Sequence, residues 1–426
     1  MNSEPPEAGE IARTLASVMR RDGPRLVAQL TRLFGARHLS LAEDMVQEAA
    51  LSALSAWPRS MPDNPAAWLA TAARNRALDH FRRNALFAAL EPRLVHWTEV
   101  LASGALPAAL TGTTHAIADE ELAMLFLCAH PALTPESQLV LILKSVCGLE
   151  VDEIARALLS NRAAIAQRLV RAKAHLRDVN AEFALPVGEE LEARRAVVMR
   201  AIYLLFNEAY AATSGDQLLR DDLAREALRL ANVLALNPAT TSPEVHALCA
   251  LIAFHHARAP ARLDEEGALV LLEDQDRARW DQKLMRDGIA HMRASMGAPR
   301  LTVFHVEAGI AACHTLAPSF AATDWDEILR WYDILWGLAP SPIITLNQAV
   351  AHAMRDGSDV GYRIAYTLEN EFMLADYAPY HATLGELARR AGHVENALLH
   401  FRRALECACS EPMRNAIIRQ QSRVMV

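Results

Sequence analysis

Apolar residues recur with a period near 3.6 along almost the whole chain, and no stretch alternates convincingly with period two, so the sequence predicts an all-α protein. Ser40 followed by Glu43 has the spacing of a capping box and opens a predicted helix that runs to about Trp57. Three prolines in "PRSMPDNP" (58–65) then break the chain. Asn64 as N-cap and Pro65 at the first helical position restart it, and this second helix is expected to reach about Asn84. Residues 86–117, with "LASGALPAALTGTT", read as a linker with little helical commitment.

Thr134 and Pro135 begin a further helix that Gly148 ends. Val151, Ile154, Ala155 and Leu158 form the apolar face of a short helix. After "LSN" comes another, with Ile165, Leu169, Ala172 and Leu176 inward. Two helices joined by a tight turn, the second basic, make a helix-turn-helix. From about Leu191 onward the pattern is of paired helices. "ATLGELARRAGHVENALLHFRRAL" (382–405) places Leu384, Gly385, Ala388, Gly392, Ala397, Phe401 and Ala404 at tetratricopeptide spacing, and Gly357 falls at an earlier corner. A helical-repeat domain is expected there.

Composition adds little to this outline, whereas charge divides it. Residues 1–184 carry 19 Arg and Lys against 20 Asp and Glu, and residues 185–426 carry 24 against 31. The second part is therefore a poor candidate for meeting DNA, and the basic residues of the first are gathered into two stretches. The six cysteines are scattered, which suggests reduced thiols in a cytosol. No apolar run approaches a membrane span, and the acidic N-terminus does not resemble a signal peptide. The expected location is cytoplasmic, with no membrane partner.

The first basic stretch is the helix that follows Asn161, whose outward positions include Arg162, Ala166, Gln167, Arg168 and Arg171, with Lys173 beyond. Arg and Gln side chains read base edges in the major groove, and further Arg and Lys hold phosphates. In the second stretch, "NPAAWLATAARNRALDHFRR" (64–83), Asn75, Arg76, Asp79, Arg82 and Arg83 share one helix face, with Arg74 beside them. Trp57, Trp68 and Asn64 lie at its approach, a combination suited to unstacked bases on a single strand. A third patch is acidic. Residues 41–50 expose Glu43, Asp44, Gln47 and Glu48, a face that would repel DNA and is better suited to a protein.

An acidic "AEDMVQEA" helix, the 64–83 helix, a linker, and then "LTPESQLVLILKSVCGLEVDEIARAL…AQRLVRAKAHLR" together resemble a bacterial sigma factor of the extracytoplasmic-function (ECF) type, within the sigma-70 family. "LLFNEAYAATSGDQLLRDDLAREALRLA" and "LVLLEDQDRARWD" are similar to a subgroup with a C-terminal tetratricopeptide-like extension. The resemblance implies sigma region 2 over 10–85, a linker over 86–117, the helix-turn-helix of region 4 over 118–180 and the extension over 185–426. It implies that residues 41–50 bind the β′ clamp helices of core RNA polymerase, with the β flap as a further contact. Residues 58–65 and the face from Arg74 to Arg83 would open and hold the minus-ten element. Residues 161–173 would enter the major groove at the minus-thirty-five element of promoter DNA. Ala163, Ala164 and Ala166 stand where many family members carry Thr, Lys or Gly, so the promoter sequence does not transfer from relatives.

The expectation is thus an alternative sigma factor, not an enzyme, without metal or cofactor, whose extension docks a partner or ligand or controls activity. A one-component helix-turn-helix regulator with a ligand-binding helical domain accounts for residues 152–178 but leaves the first basic face and the acidic patch idle. An enzyme in the second half would draw on His255, His256, His305, Glu307 and His314, whose spacing matches no metal motif such as HExxH. Asn207, Glu208 and Tyr210 are better read as an inter-helix network than as a converging site. Cys407 and Cys409 form one close pair without a second, which favours ordinary helix thiols.

Overall fold

The structure is a computed structural model and describes residues 8–83, 114–158, 160–210, 220–407 and 409–424. Among these residues there is no strand, only an isolated bridge between Leu263 and Leu269, and the all-α expectation holds. Internal contacts divide the chain into two units, Met1–Ala201 and Ile202–Val426. Most of the segment 86–117 expected to be a linker lies outside the described residues. The next helix begins at Thr114, inside that segment.

The first unit opens with α1 (Ala8–Phe34), α2 (Leu39–Ala56) and α3 (Pro65–Arg83). They pack through Leu26 and Leu30 of α1, Ala42, Met45, Val46 and Ala49 of α2, and Leu69, Ala73 and Ala77 of α3, all buried. The alanines let the helix axes approach closely. Trp57, just past α2, is fully buried and meets Trp68 edge-on at 5.8 Å between ring centroids. Asn64 caps α3 as expected, accepting the Ala67 N–H at 3.1 Å. The cap expected at Ser40 does not form. A 3₁₀ turn at Ala36–His38 carries the chain into α2 two residues early, His38 takes the N-cap position, and the Glu43 carboxylate is drawn to residues far along the chain.

Among the described residues this unit continues with α4 (Thr114–Cys128), α5 (Pro135–Ser145), α6 (Val151–Ala157) and α7 (Arg162–Asp178). The half of α4 from Leu122 to Cys128 is apolar on every side and buried throughout, as a central helix must be. Gly148 turns the chain after α5 with φ +68°, and a Cβ there would stand 3.3 Å from both the Arg20 carbonyl and Pro24. Asn161 caps α7, its side chain accepting the Ala164 N–H at 2.8 Å. Ile165, Leu169, Ala172 and Leu176 face inward, as their spacing requires. The helix α8 (Glu189–Tyr210) begins in this unit, where Arg194 donates to the Phe126 carbonyl at 3.0 Å.

The second unit continues through α9 (Asp221–Leu236), α10 (Pro243–Ala257), α11 (Gln282–Ser295), α12 (Val303–Leu316), α13 (Trp325–Leu338), α14 (Pro342–Asp356), α15 (Ser358–Tyr366), α16 (Ala378–Arg390), α17 (Val394–Glu406) and α18 (Glu411–Ser422). Successive helices pack pairwise. The tetratricopeptide-like positions behave as the spacing demands: Leu384, Ala388, Ala397, Phe401 and Ala404 are buried, and Gly392 makes the corner with φ +81°. Gly385 lies under Phe401, whose ring would be 2.8 Å from a Cβ, so only glycine lets α16 and α17 close. An irregular strap between α10 and α11 crosses this unit. Its Arg277 donates to the His314 and Ala317 carbonyls at 2.9 and 2.8 Å, at the C-terminal end of α12. Glu273 pairs with Arg390 and Asp264 with Arg419, joining the strap to α16 and α18.

Candidate nucleic-acid interface

The outward face of α7 carries Arg162, Ala166, Gln167 and Arg171 exposed, with Arg168 half-buried between them. Asn161 sets the start of the helix, and the buried Ile165 and Leu169 fix which face turns out. Arg162 is paired with Asp152 of α6 at 2.6 Å, with both side chains at least half exposed, so the pair holds little energy and leaves the guanidinium available. Lys173 differs from its neighbours. It lies on the flank of α7, its side chain only 18% exposed, in an ion pair with Glu43.

On α3, Asn75, Arg76 and Asp79 are exposed and Arg74 is half-buried, its guanidinium donating to the Asn75 side-chain oxygen at 2.7 Å. Trp68 is half-buried at the head of this face, whereas Trp57 is core. The side chains of Arg82 and Arg83, in the last turn of α3, lie outside the described ones. Arg76 donates to Glu48 at 3.1 Å and to the Ser52 hydroxyl at 2.8 Å. The basic face of α3 and the acidic face of α2 thus share a border.

Of the acidic patch, Asp44 and Gln47 are exposed and Glu48 is half-exposed. Glu43, expected on the same exposed face, is turned away. Its side chain is 16% exposed, it accepts the Ser145 hydroxyl at 2.8 Å, and it pairs with Lys173. Beneath it, the thiol of Cys128 is pushed up by burial first and by the Glu43 carboxylate second, with Lys173 acting in the opposite sense. Nothing in the local sequence signalled Ser145 or Ser52 as partners, because they act across the fold rather than along a helix.

Other expected clusters do not assemble into a site. Among the described residues no group of three His, Cys, Asp or Glu side chains is placed to hold a metal ion. His305 is tied to Thr302 in the cap of α12, and Glu307 lies against Tyr203, burial raising the pKa of both. Glu208 is buried while Asn207 is exposed, so Asn207, Glu208 and Tyr210 do not converge. The Tyr210 ring instead stacks under the Arg262 guanidinium at 3.6 Å. Cys407 lies against the Arg403 carbonyl within its own helix end.

Residues 18–87 match the family model described as Sigma-70 region 2, and residues 123–176 match Sigma-70, region 4. The chain belongs to the sigma-70 family. Two sigma regions followed by a helical extension make it an ECF-like sigma factor, as the motifs implied. Residues 194–296 match a family of unknown function, DUF6596, a stretch that runs from within α8 through α9, α10 and the strap to the end of α11. An uncharacterized protein of Rhizobium meliloti (strain 1021) is 38% identical over 387 residues, covering 90% of each chain. No solved structure matches. The two sigma regions assign the chain a sigma-factor-like role in transcription initiation, a non-enzymatic one in this family. Among the described residues no helix is long and apolar enough to cross a membrane.

Proposed function

We propose that this chain is an alternative sigma factor of the cytoplasm that binds core RNA polymerase through α2, holds the minus-ten element on α3, reads the minus-thirty-five element with α7, and is controlled by its C-terminal helical unit. The observation that carries this reading is the succession of faces in one unit. A protein-like acidic face at Asp44, Gln47 and Glu48 borders a basic face at Arg74 and Arg76, and a capped helix follows with Arg162, Gln167 and Arg171 outward. A one-component regulator has no use for the first two. The direct test is reconstitution: purified chain plus core polymerase on promoters mapped in cells overproducing it. Absence of promoter-dependent transcripts would refute the assignment.

Arg168→Ala is expected to weaken promoter binding by about 1–3 kcal/mol and to relax the preference at the minus-thirty-five element, measured by titration against single-base promoter variants. Unchanged selection would remove α7 from the role.

Control by the extension is tested by removing it. A cut at Pro186 would strip off the part of α8 that packs in the first unit, where Arg194 reaches the Phe126 carbonyl, so the fragment should end at Ala201. The excess of acidic residues in the extension suits either masking of the basic faces or docking of an activator. Transcription by a folded 1–201 fragment is expected to differ about tenfold or more from the intact chain, the size of an ordinary coupling free energy. Equal activity would show that the extension does not control the factor.

A further inference from the structure

We propose that Glu43 is the centre of a polar latch that holds sigma regions 2 and 4 closed on one another, so that the Glu43 carboxylate is released for polymerase only when the latch opens. The competition with polymerase rests on the reading of α2 given above; the latch itself rests on contacts alone.

Glu43 stands on α2, among the residues read as a polymerase surface, yet its carboxylate is spent inside the molecule. One oxygen accepts the Ser145 hydroxyl at the end of α5 and the other pairs with Lys173 of α7, and the two charged side chains are 16% and 18% exposed. A pair that is largely withdrawn from water must be satisfied by its partners, and among the described residues those of Glu43 are Ser145 and Lys173, both in region 4. Further contacts support the closure. Arg25 of α1 donates to Glu121 of α4 at 3.0 Å, Arg32 to Glu120 at 2.6 Å, and the Gly148 turn abuts the Arg20 carbonyl. The α7 helix also packs on the 3₁₀ turn Ala36–His38 that leads into α2.

Two consequences follow from this placement. The carboxylate meant for a protein partner and the ammonium meant for DNA neutralise each other, so either target, on binding, competes with the latch. The lost pair is also replaced on binding, by cationic groups of a protein for Glu43 and by phosphates for Lys173, so opening leaves neither charge uncompensated. Cys128 marks the closed state. It is fully buried and lies close enough to feel both members of the pair.

The test uses the full chain and follows N-ethylmaleimide labelling of Cys128 by peptide mass spectrometry. Lys173→Glu opposes two carboxylates, and labelling is expected to run about tenfold faster than in the parent, reporting local opening. Exchanging the pair, as Glu43→Lys with Lys173→Glu, is expected to restore slow labelling, a rescue that simple unfolding does not give. Equal rates in the parent and in Lys173→Glu overturn the latch, as does fast labelling in the exchanged pair. Core RNA polymerase added to the parent is expected to unmask Cys128. If Lys173→Glu labels fast and the exchanged pair slowly while polymerase leaves the parent protected, the latch stands and the assignment of α2 to polymerase is what fails.

Discussion

Reversing two charges on α2, as Asp44→Lys with Glu48→Lys, is expected to abolish stable association with core RNA polymerase while the chain remains folded. Asp44 is exposed, and the Glu48 side chain is 47% exposed and paired with an Arg76 exposed to nearly the same degree. Such a pair contributes about 0–1 kcal/mol, so its loss should leave the melting temperature almost unchanged. At an interface the same reversal sets like charges against each other and removes two attractive contacts, which together cost several kcal/mol, or roughly a thousandfold in affinity. Glu43 is left out of the variant because altering it would also disturb Lys173 and Ser145. Co-purification with core polymerase, beside circular dichroism of the free variant, decides the matter. A folded double variant that still forms holoenzyme would exclude the α2 face from the interaction.

Acid should unfold the extension before its charge pairs titrate. Burial, with Arg258 next in weight, depresses His255 to about 3 and His314 to about 4, and burial holds His400 near 4 as well. Arg262 adds to the effect at His255, Arg277 at His314, and His381 and Arg403 at His400. These folded-state values lie below that of an imidazole in the unfolded chain, about 6.5. Above pH 6.5 both states are neutral and stability is full. As pH falls through 6.5, the unfolded chain takes up protons that the folded one refuses, and stability is lost until the folded values are reached. At pH 5 each such histidine costs roughly 2 kcal/mol, so the three together approach the whole stability of an ordinary domain. Calorimetry of the intact chain from pH 7.5 to 5 should show the transition of the second unit falling steeply, and hydrogen exchange can assign it. A flat profile would mean that these rings are hydrated in solution.

Helices, their inward faces and their stops were largely legible in the chain itself. A helix writes its buried face into a period of 3.6, and Asn64, Asn161, Gly148 and Gly392 punctuate it through local chemistry that needs no distant partner. The same locality made the two sigma regions recognisable and put Arg162, Gln167 and Arg171 on the outside of α7. Trp57 was ambiguous for the converse reason, since a tryptophan beside a basic face looks the same in sequence whether it stacks on a base or fills a core. Glu43 shows most clearly what the sequence could not decide. Read along the helix it is one of four exposed acidic or amide positions and half of a capping box. In the fold it caps nothing, because its partners Ser145 and Lys173 are 102 and 130 residues away. Arg277, which reaches the carbonyls at the end of α12, is a similar case. Periodicity and capping are set by neighbours three or four residues apart, so sequence determined them. Which charge meets which across two packed helices depends on where the chain returns, and only the tertiary structure decided that.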